Sequence, residues 1–231
     1  MTPGLYILGT PIGNLSDISA RALETLKGSD LILSEDTRRT AILLDRYGIR
    51  RPMLSYHKFN EAARTEEILN RIRAGAAVVL VTDSGMPAVS DPGARIVDAC
   101  RRRQLAVTAI PGPSAVTTAV ALCGFGGSSF YFGGFLTRKE KGRRDVLKEL
   151  SNLGSAIVLF ESPFRILDLL ADIEAIMGSR RVFIGRELTK KFEELLWGTA
   201  AELRVGLGAR SIKGEIVVVI APPQLTRDSP E

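Results

Sequence analysis

Residues 76–82, AAVVLVT, form an apolar run that opens directly into an eleven-residue Gly/Pro loop, DSGMPAVSDPG, from Asp83 to Gly93. A buried strand feeding a long, conformationally restricted loop is how an open α/β sheet builds a ligand crevice. Ordinary strand-to-helix connections run about two to six residues, and longer ones are usually functional or disordered. Gly85 and Gly93 permit backbone angles closed to residues with a Cβ, whereas Pro87 and Pro92 fix φ and remove donors. Such a loop holds its shape before any ligand arrives.

Short β-type runs alternate with helical patterns throughout the first half: GLYILG at 4–9, LILSE at 31–35, a weaker run from Met53 to Tyr56, and AVTAI at 106–110. Between them, Thr65, Leu69 and Ile72 recur at helical spacing within Arg64 to Arg73, and Pro92 suits an early helical position. Alternation of this kind predicts a parallel sheet. The proline-bracketed IPGPSA at 110–115 ends the fifth strand and is the candidate hinge. The division predicted there gives one α/β domain over 1–112, a second over 113–225, and a loose tail over 226–231. Past the hinge, strand-like runs fall at 130–135, 156–161, 181–185, 192–197 (FEELLW) and 215–220, with helices near 114–123, 138–152, 163–177 and 199–207.

With 45% apolar and 25% charged residues in 231, the chain can bury a substantial core. Its net charge of +5 suits an anionic partner such as RNA. Cys100 and Cys123 lack metal-site or disulfide spacing and read as reduced, cytosolic thiols. One histidine, His57, leaves little for transition-metal catalysis and reads as structural. The N-terminus lacks the pattern of a secretion signal, and no apolar run approaches about 18 residues, so the sequence predicts no membrane contact.

Two phosphate signatures are missing: there is no GxxxxGK[ST], and the first strand runs into Leu8-Gly9-Thr10-Pro11-Ile12-Gly13-Asn14-Leu15 rather than GxGxxG. The strand ends instead gather Glu35, Asp36 and Asp83 beside glycine backbone, with Arg38 and Arg39 as the main fixed positive charge. That environment suits a ligand with a cationic centre, and S-adenosylmethionine, whose sulfonium is positive, fits it. Helix capping is the competing explanation for Glu35 and Asp36. Further along, Arg138, Lys139, Lys141, Arg143 and Arg144 surround a single acidic residue over seven positions, beside Phe130, Tyr131, Phe132 and Phe135. Such a stretch either follows a phosphate backbone or forms a solvated helix face.

Seven segments in fixed order, GTPIGNL (9–15), SEDTR (34–38), TDSGMPAVSDPG (82–93), IPGPSA (110–115), FESPFR (160–165), RELTK (186–190) and KGE (213–215), resemble the tetrapyrrole methylase superfamily, and within it the branch acting on small-subunit ribosomal RNA. The resemblance spans nearly the whole chain. It implies a two-domain, class III methyltransferase α/β fold, with a parallel sheet in the N-terminal domain, a mixed sheet in the C-terminal domain and the cofactor between them. It also implies transfer of a methyl group from S-adenosyl-L-methionine to the ribose 2′-hydroxyl of a cytidine in the decoding region, by a cytoplasmic homodimer whose partner is the rRNA or the assembled small subunit. Carried over by position, cofactor contacts fall on Pro11, Gly85, Met86, Pro87, Val89, Ser90, Ser114 and Ala115, and on Glu161 and Leu188 of the second domain. Met86 stands where the tetrapyrrole-type members carry aspartate.

In-line methyl transfer demands alignment above all, yet a ribose hydroxyl must also lose its proton. Lys190, Glu187, Asp36 and Glu35 are the candidate acceptors. Lys190 qualifies only with a depressed pKa. Arg38, Arg165 and Arg186 join the basic stretch as candidate RNA contacts. The alternatives are a methylase of a porphyrinoid or corrin precursor and a non-catalytic S-adenosylmethionine- or nucleotide-binding module.

Overall fold

The structure is a computed structural model describing residues 1–125 and 129–223, so the tail expected from 226 lies outside the described residues. The chain divides after Ser114 into two compact units.

The first unit runs β1 (Gly4–Leu8), α1 (Ala20–Gly28), β2 (Leu31–Ser34), α2 (Thr37–Arg46), β3 (Met53–Ser55), α3 (Glu61–Arg73), β4 (Ala77–Val81), α4 (Ala94–Arg102) and β5 (Val107–Ile110). The strands pair in the order β3-β2-β4-β1-β5, all parallel. β4 is central and buried along its whole length, which is why its sequence reads as an unbroken apolar run rather than an alternation. Its successive side chains still face opposite layers. Val78 and Leu80 pack with Ile68, Leu69 and Ile72 of α3 and with Ile96 and Cys100 of α4. Val79 and Val81 pack with Ala22 and Leu26 of α1 and with Leu43 and Leu44 of α2. Each fully buried Val, Leu or Ile among them contributes about 1.5–3 kcal/mol of transfer free energy.

This layering fixes a crevice. From β1 the chain crosses β4 to reach β2 through α1 on one face, whereas from β4 it crosses β1 to reach β5 through α4 on the other. The loops after β1 and β4 therefore leave adjacent strand ends in opposite directions, the arrangement that opens a ligand site at the carboxyl edge of a parallel sheet.

The second unit runs α5 (Ala115–Cys123), β6 (Phe130–Phe135), α6 (Glu140–Leu150), β7 (Ala156–Glu161), α7 (Ile166–Met177), β8 (Arg181–Arg186), β9 (Glu194–Thr199), α8 (Ala200–Gly208) and β10 (Ile216–Ile220). Its sheet order is β6-β7-β10-β8-β9, with β6 and β7 parallel and the remaining pairs antiparallel, so the sheet is mixed. Leu147 of α6, Leu169, Leu170 and Ile173 of α7 and Leu203 of α8 cover one face together with Ile157, Leu159, Ile184 and Val218. α5 packs on β8 and β10. The ninth strand starts at Glu194 rather than Phe192, because the residues before it close a turn: the Glu193 amide donates to the Lys190 carbonyl (3.1 Å), and the Glu193 carboxylate accepts from the Thr189 amide (2.6 Å).

Arg143 departs from its expected place on a solvated basic face. It points inward from α6, on the side that also buries Leu147 and Leu150, and its Nε donates to Asp172 Oδ2 of α7 at 2.6 Å, with both side chains about 5% exposed. Arg144 donates to the other Asp172 oxygen at 3.1 Å. These two arginines neutralise a carboxylate inside the helical layer, and Arg143 is withdrawn from any surface contact with RNA.

Candidate functional site

The crevice of the first unit is built from three strand-end segments. The Thr10 amide donates to the Gly85 carbonyl at 2.9 Å and the Gly85 amide to the Thr10 carbonyl at 3.1 Å, a two-bond bridge between the loops after β1 and β4. Thr10 is buried, and its hydroxyl donates to the Thr82 carbonyl (3.1 Å). On the other side of β1, the Gly9 amide donates to the Ile110 carbonyl, and Gly9 and Gly112 lie in backbone contact. A Cβ on Gly9 would fall 2.6 Å from the Met86 sulfur and 2.8 Å from Gly112 Cα, and a Cβ on Gly112 would fall 2.6 Å from the Gly9 carbonyl oxygen. Met86 thus packs against Gly9 and makes an apolar wall beside this glycine pair.

The loop after β4 is held at positive φ at four points: Gly85 (φ 82°), Ala88 (φ 66°), Ser90 (φ 64°) and Gly93 (φ 136°). Non-glycine residues in that region cost free energy, and they collect at sites where the surrounding structure enforces them. The amides of Met86, Val89 and Ser90 have no intramolecular acceptor among the described residues. The Val89 and Ser90 amides are adjacent and border the left-handed Ala88 and Ser90, whereas the Met86 amide lies beyond Pro87 and the Ala88 amide is spent on the Pro92 carbonyl (3.1 Å). Adjacent free amides beside left-handed backbone suit a carboxylate. Pro11, Gly85 and Pro87 are buried floor, and Val89 and Ser90 are exposed rim. Ser114 closes this unit and Ala115 opens α5 in the next.

Acidic residues gather at the ends of β2 and β4. The Thr82 hydroxyl donates to Glu35 Oε2 (3.1 Å), and the Asp36 amide donates to Asp83 Oδ1 (3.1 Å). Asp36 also caps α2 by accepting from the Arg38 amide (2.9 Å), and its carboxylate pairs with the Arg38 guanidinium at 2.7 Å. Those Arg38 hydrogen bonds hold the Asp36 carboxyl at about 2, well below its usual range. Arg39 lies 3.5 Å from Asp83. Glu35 is half-buried and has no ion-pair partner among the described residues.

The other two candidate proton acceptors form a separate cluster in the second unit. Lys190 Nζ donates to Glu187 Oε1 and Glu215 Oε2, both at 2.9 Å, within a turn whose Glu187 (φ 53°) and Thr189 (φ 64°) are left-handed. Burial alone would lower the Lys190 pKa, but the hydrogen bonds to the two carboxylates raise it above the ordinary lysine value. Glu187 likewise feels burial pushing upward, yet its bonds to Lys190 and the Glu215 amide bring it below the usual carboxylate value. The condition that would have made Lys190 a base is therefore reversed: it is a firmly held ammonium. Leu188 lies buried against Gly185, leaving its backbone rather than its side chain for a ligand.

Glu161 has a fully buried side chain whose Oε1 pairs with Arg165 at 2.5 Å and accepts from the Ser162 amide, while its Oε2 is buried with no hydrogen-bond partner among the described residues. Arg186 is consumed by Glu194 and by the Lys213 and Phe192 carbonyls. Arg138, Lys139 and Lys141 are exposed and have no carboxylate partner among the described residues. Sequence reasoning missed the Gly9–Gly112 contact and the Thr10 clip; two glycines flanking strand ends were the available signal.

The profile of the Tetrapyrrole (Corrin/Porphyrin) Methylases matches residues 4–204. A Thermotoga maritima protein named ribosomal RNA small subunit methyltransferase I is 49% identical over 94% of this chain and 97% of its own length. A Mesorhizobium japonicum protein of the same name is 43% identical over 100% of this chain and 79% of its own. Among solved structures, diphthine synthase aligns with TM-score 0.71 at 16% identity, covering 94% of this chain and 89% of that one. A Thermus thermophilus uroporphyrin-III C-methyl transferase complexed with S-adenyl homocysteine aligns with TM-score 0.67 at 15% identity, over 94% and 96%. At these identities the structural likeness speaks to the fold.

Proposed function

This chain belongs to the tetrapyrrole (corrin/porphyrin) methylase family, and from that premise we propose that it methylates small-subunit ribosomal RNA, using S-adenosyl-L-methionine and acting on the ribose 2′-hydroxyl of a cytidine in the decoding region. The observation that carries this reading is the near-full-length identity to relatives named for small-subunit rRNA methylation. The rRNA or the assembled small subunit is the partner, and a cytoplasmic homodimer is the working form. No helix among the described residues is long and apolar enough to cross a membrane.

The first unit fits the cofactor. Free amides at Met86, Val89 and Ser90 suit its carboxylate, buried Pro11, Gly85 and Pro87 give an apolar floor, and the carboxylates of Glu35 and Asp83 favour its positive sulfonium. When bound, S-adenosyl-L-methionine supplies an electrophilic methyl carbon, displaced in line from sulfur by the ribose oxygen as that oxygen loses its proton. Pre-shaping of the loop by the Thr10–Gly85 bridge supplies alignment. Of the four candidate acceptors, Glu35 is the one we assign to the proton, since Asp36 is held at about 2 by Arg38, Glu187 is stabilised as an anion, and Lys190 is fixed as a cation. Lys190 and Glu187 then position the 186–194 turn, and Ser114, Ala115, Glu161 and Leu188 remain proposed cofactor contacts.

Incubation with methyl-labelled S-adenosylmethionine and, separately, naked small-subunit rRNA, assembled small subunits or a porphyrinoid precursor tests the proposal. Label in a nuclease-resistant cytidine dinucleotide supports it. Label in the porphyrinoid alone favours the corrin-type alternative, and label in neither defeats both enzymatic readings.

A further inference from the structure

The second unit holds a cavity of about 580 Å³ at the carboxyl ends of the parallel strands β6 and β7, lined by Phe135, Thr137, Arg138, Ser162, Phe164 and Arg165 among others. Its rim is unusual in composition. Phe164 is 91% exposed and Phe135 60% exposed, although each lies next to a strand end where an apolar ring is normally buried. Phe164 is placed there by a tight turn, in which the Phe164 amide donates to the Ser162 hydroxyl (3.3 Å) and the Arg165 amide to the Ser162 carbonyl (3.0 Å). Phe135 leans on Phe160, their ring centroids 5.5 Å apart. The Arg165 guanidinium is fixed from behind by the buried Glu161 carboxylate (2.5 Å) and the Leu136 carbonyl (3.3 Å), so it presents a flat cationic plane rather than a mobile one. Exposed Arg138, Lys139 and Lys141 follow directly along the chain.

Aromatic rings and a fixed guanidinium beside free cationic side chains make up the chemistry that holds an unpaired base by its face and its phosphate by charge. The Thr137 and Ser162 hydroxyls add groups able to meet a base edge. We propose that this cavity is a stacking subsite for an unpaired nucleobase of the RNA substrate, with Phe164 and Phe135 as the ring contacts and Arg138 on the adjoining phosphate; it rests on the RNA-methylating reading above. Arg165, expected as a direct RNA contact, acts here as a cavity wall oriented by Glu161.

The test compares wild type with Phe164→Ala, Phe135→Ala and Phe164→Trp, using the full chain, a single-stranded cytidine-containing RNA oligonucleotide for binding, and rRNA for methyl transfer. Phe164 is almost wholly exposed, so its replacement leaves folding unchanged, which circular dichroism verifies. Phe164→Ala raises the RNA Kd and KM by about ten-fold, within the range for loss of one base–aromatic stack, and leaves kcat and S-adenosylhomocysteine affinity near wild type. Phe164→Trp restores binding, and its added fluorescence is quenched by the oligonucleotide. Unchanged RNA affinity in both alanine variants overturns the subsite, and so does a loss confined to S-adenosylhomocysteine affinity, which would make the cavity part of the cofactor's site. Absence of RNA methylation by wild type defeats the underlying reading instead, so the two failures are distinguishable.

Discussion

Thr10 and Gly85 exchange both backbone hydrogen bonds, at 2.9 and 3.1 Å, although their loops lead to helices on opposite faces of the sheet. The bridge clips together two segments that the topology sends apart. It holds Gly85 at φ 82° and sets where the free amides beyond it point.

The glycine pair beneath that clip leaves no room for a side chain. Gly112→Ala places a methyl 2.6 Å from the Gly9 carbonyl oxygen, and rigid backbone on both sides has to move. The expected cost is about 1–3 kcal/mol in urea denaturation, the range for overpacking. Gly154→Ala, where a Cβ meets nothing within 4 Å, is the control and should stay within about 0.5 kcal/mol of wild type.

Asp36 titrates at about 2 because Arg38 holds its charged form. A depressed folded pKa gives stability that is present above the ordinary value of 3.8 and lost as pH falls towards 2. Carboxyl-detected NMR titration of Arg38→Ala should move the Asp36 midpoint up towards 3.8; an unmoved midpoint would contradict the assigned cause.

Lys190 is held as a cation between two carboxylates, so its contribution is present below the ordinary lysine value and fades as pH rises above it. Lys190→Arg should therefore keep most methyl-transfer activity, whereas Lys190→Met should loosen the turn and lower thermal stability. A Lys190→Arg enzyme that folds normally but has lost transfer by several orders of magnitude would restore lysine as the base.

The Asp172 carboxylate sits almost fully buried between Arg143 and Arg144. Asp172→Ala strands the buried Arg143 charge and is expected to cost about 3–5 kcal/mol by denaturant titration. Arg144→Ala, at a side chain 37% exposed, should cost much less.

Much of the first unit was legible because its physics is local. The continuous apolar run at 77–81 could only be a central strand, and its long Gly/Pro loop marked the crevice. α1 was not read from the sequence and α2 was given no range, although Ser19 and Asp36 are ordinary capping residues whose side chains accept from Ala22 and Arg38 amides. The basic stretch after β6 misled for a different reason. Charge density along a sequence does not say which arginine faces inward, and Asp172, the residue that draws Arg143 into the helical layer, lies 29 positions away. The cavity rim at Phe164 was equally hidden, since an aromatic in a turn looks like core until its exposure is known.

The loop after β4 is proposed to receive the cofactor through its free amides. The most direct measurement is the two-dimensional amide NMR spectrum of the ¹⁵N-labelled protein titrated with S-adenosylhomocysteine. Large, saturable shifts of the Met86, Val89 and Ser90 amides, weakened in Gly112→Ala, are the predicted result. A spectrum in which those three resonances stay still while others saturate would contradict the account.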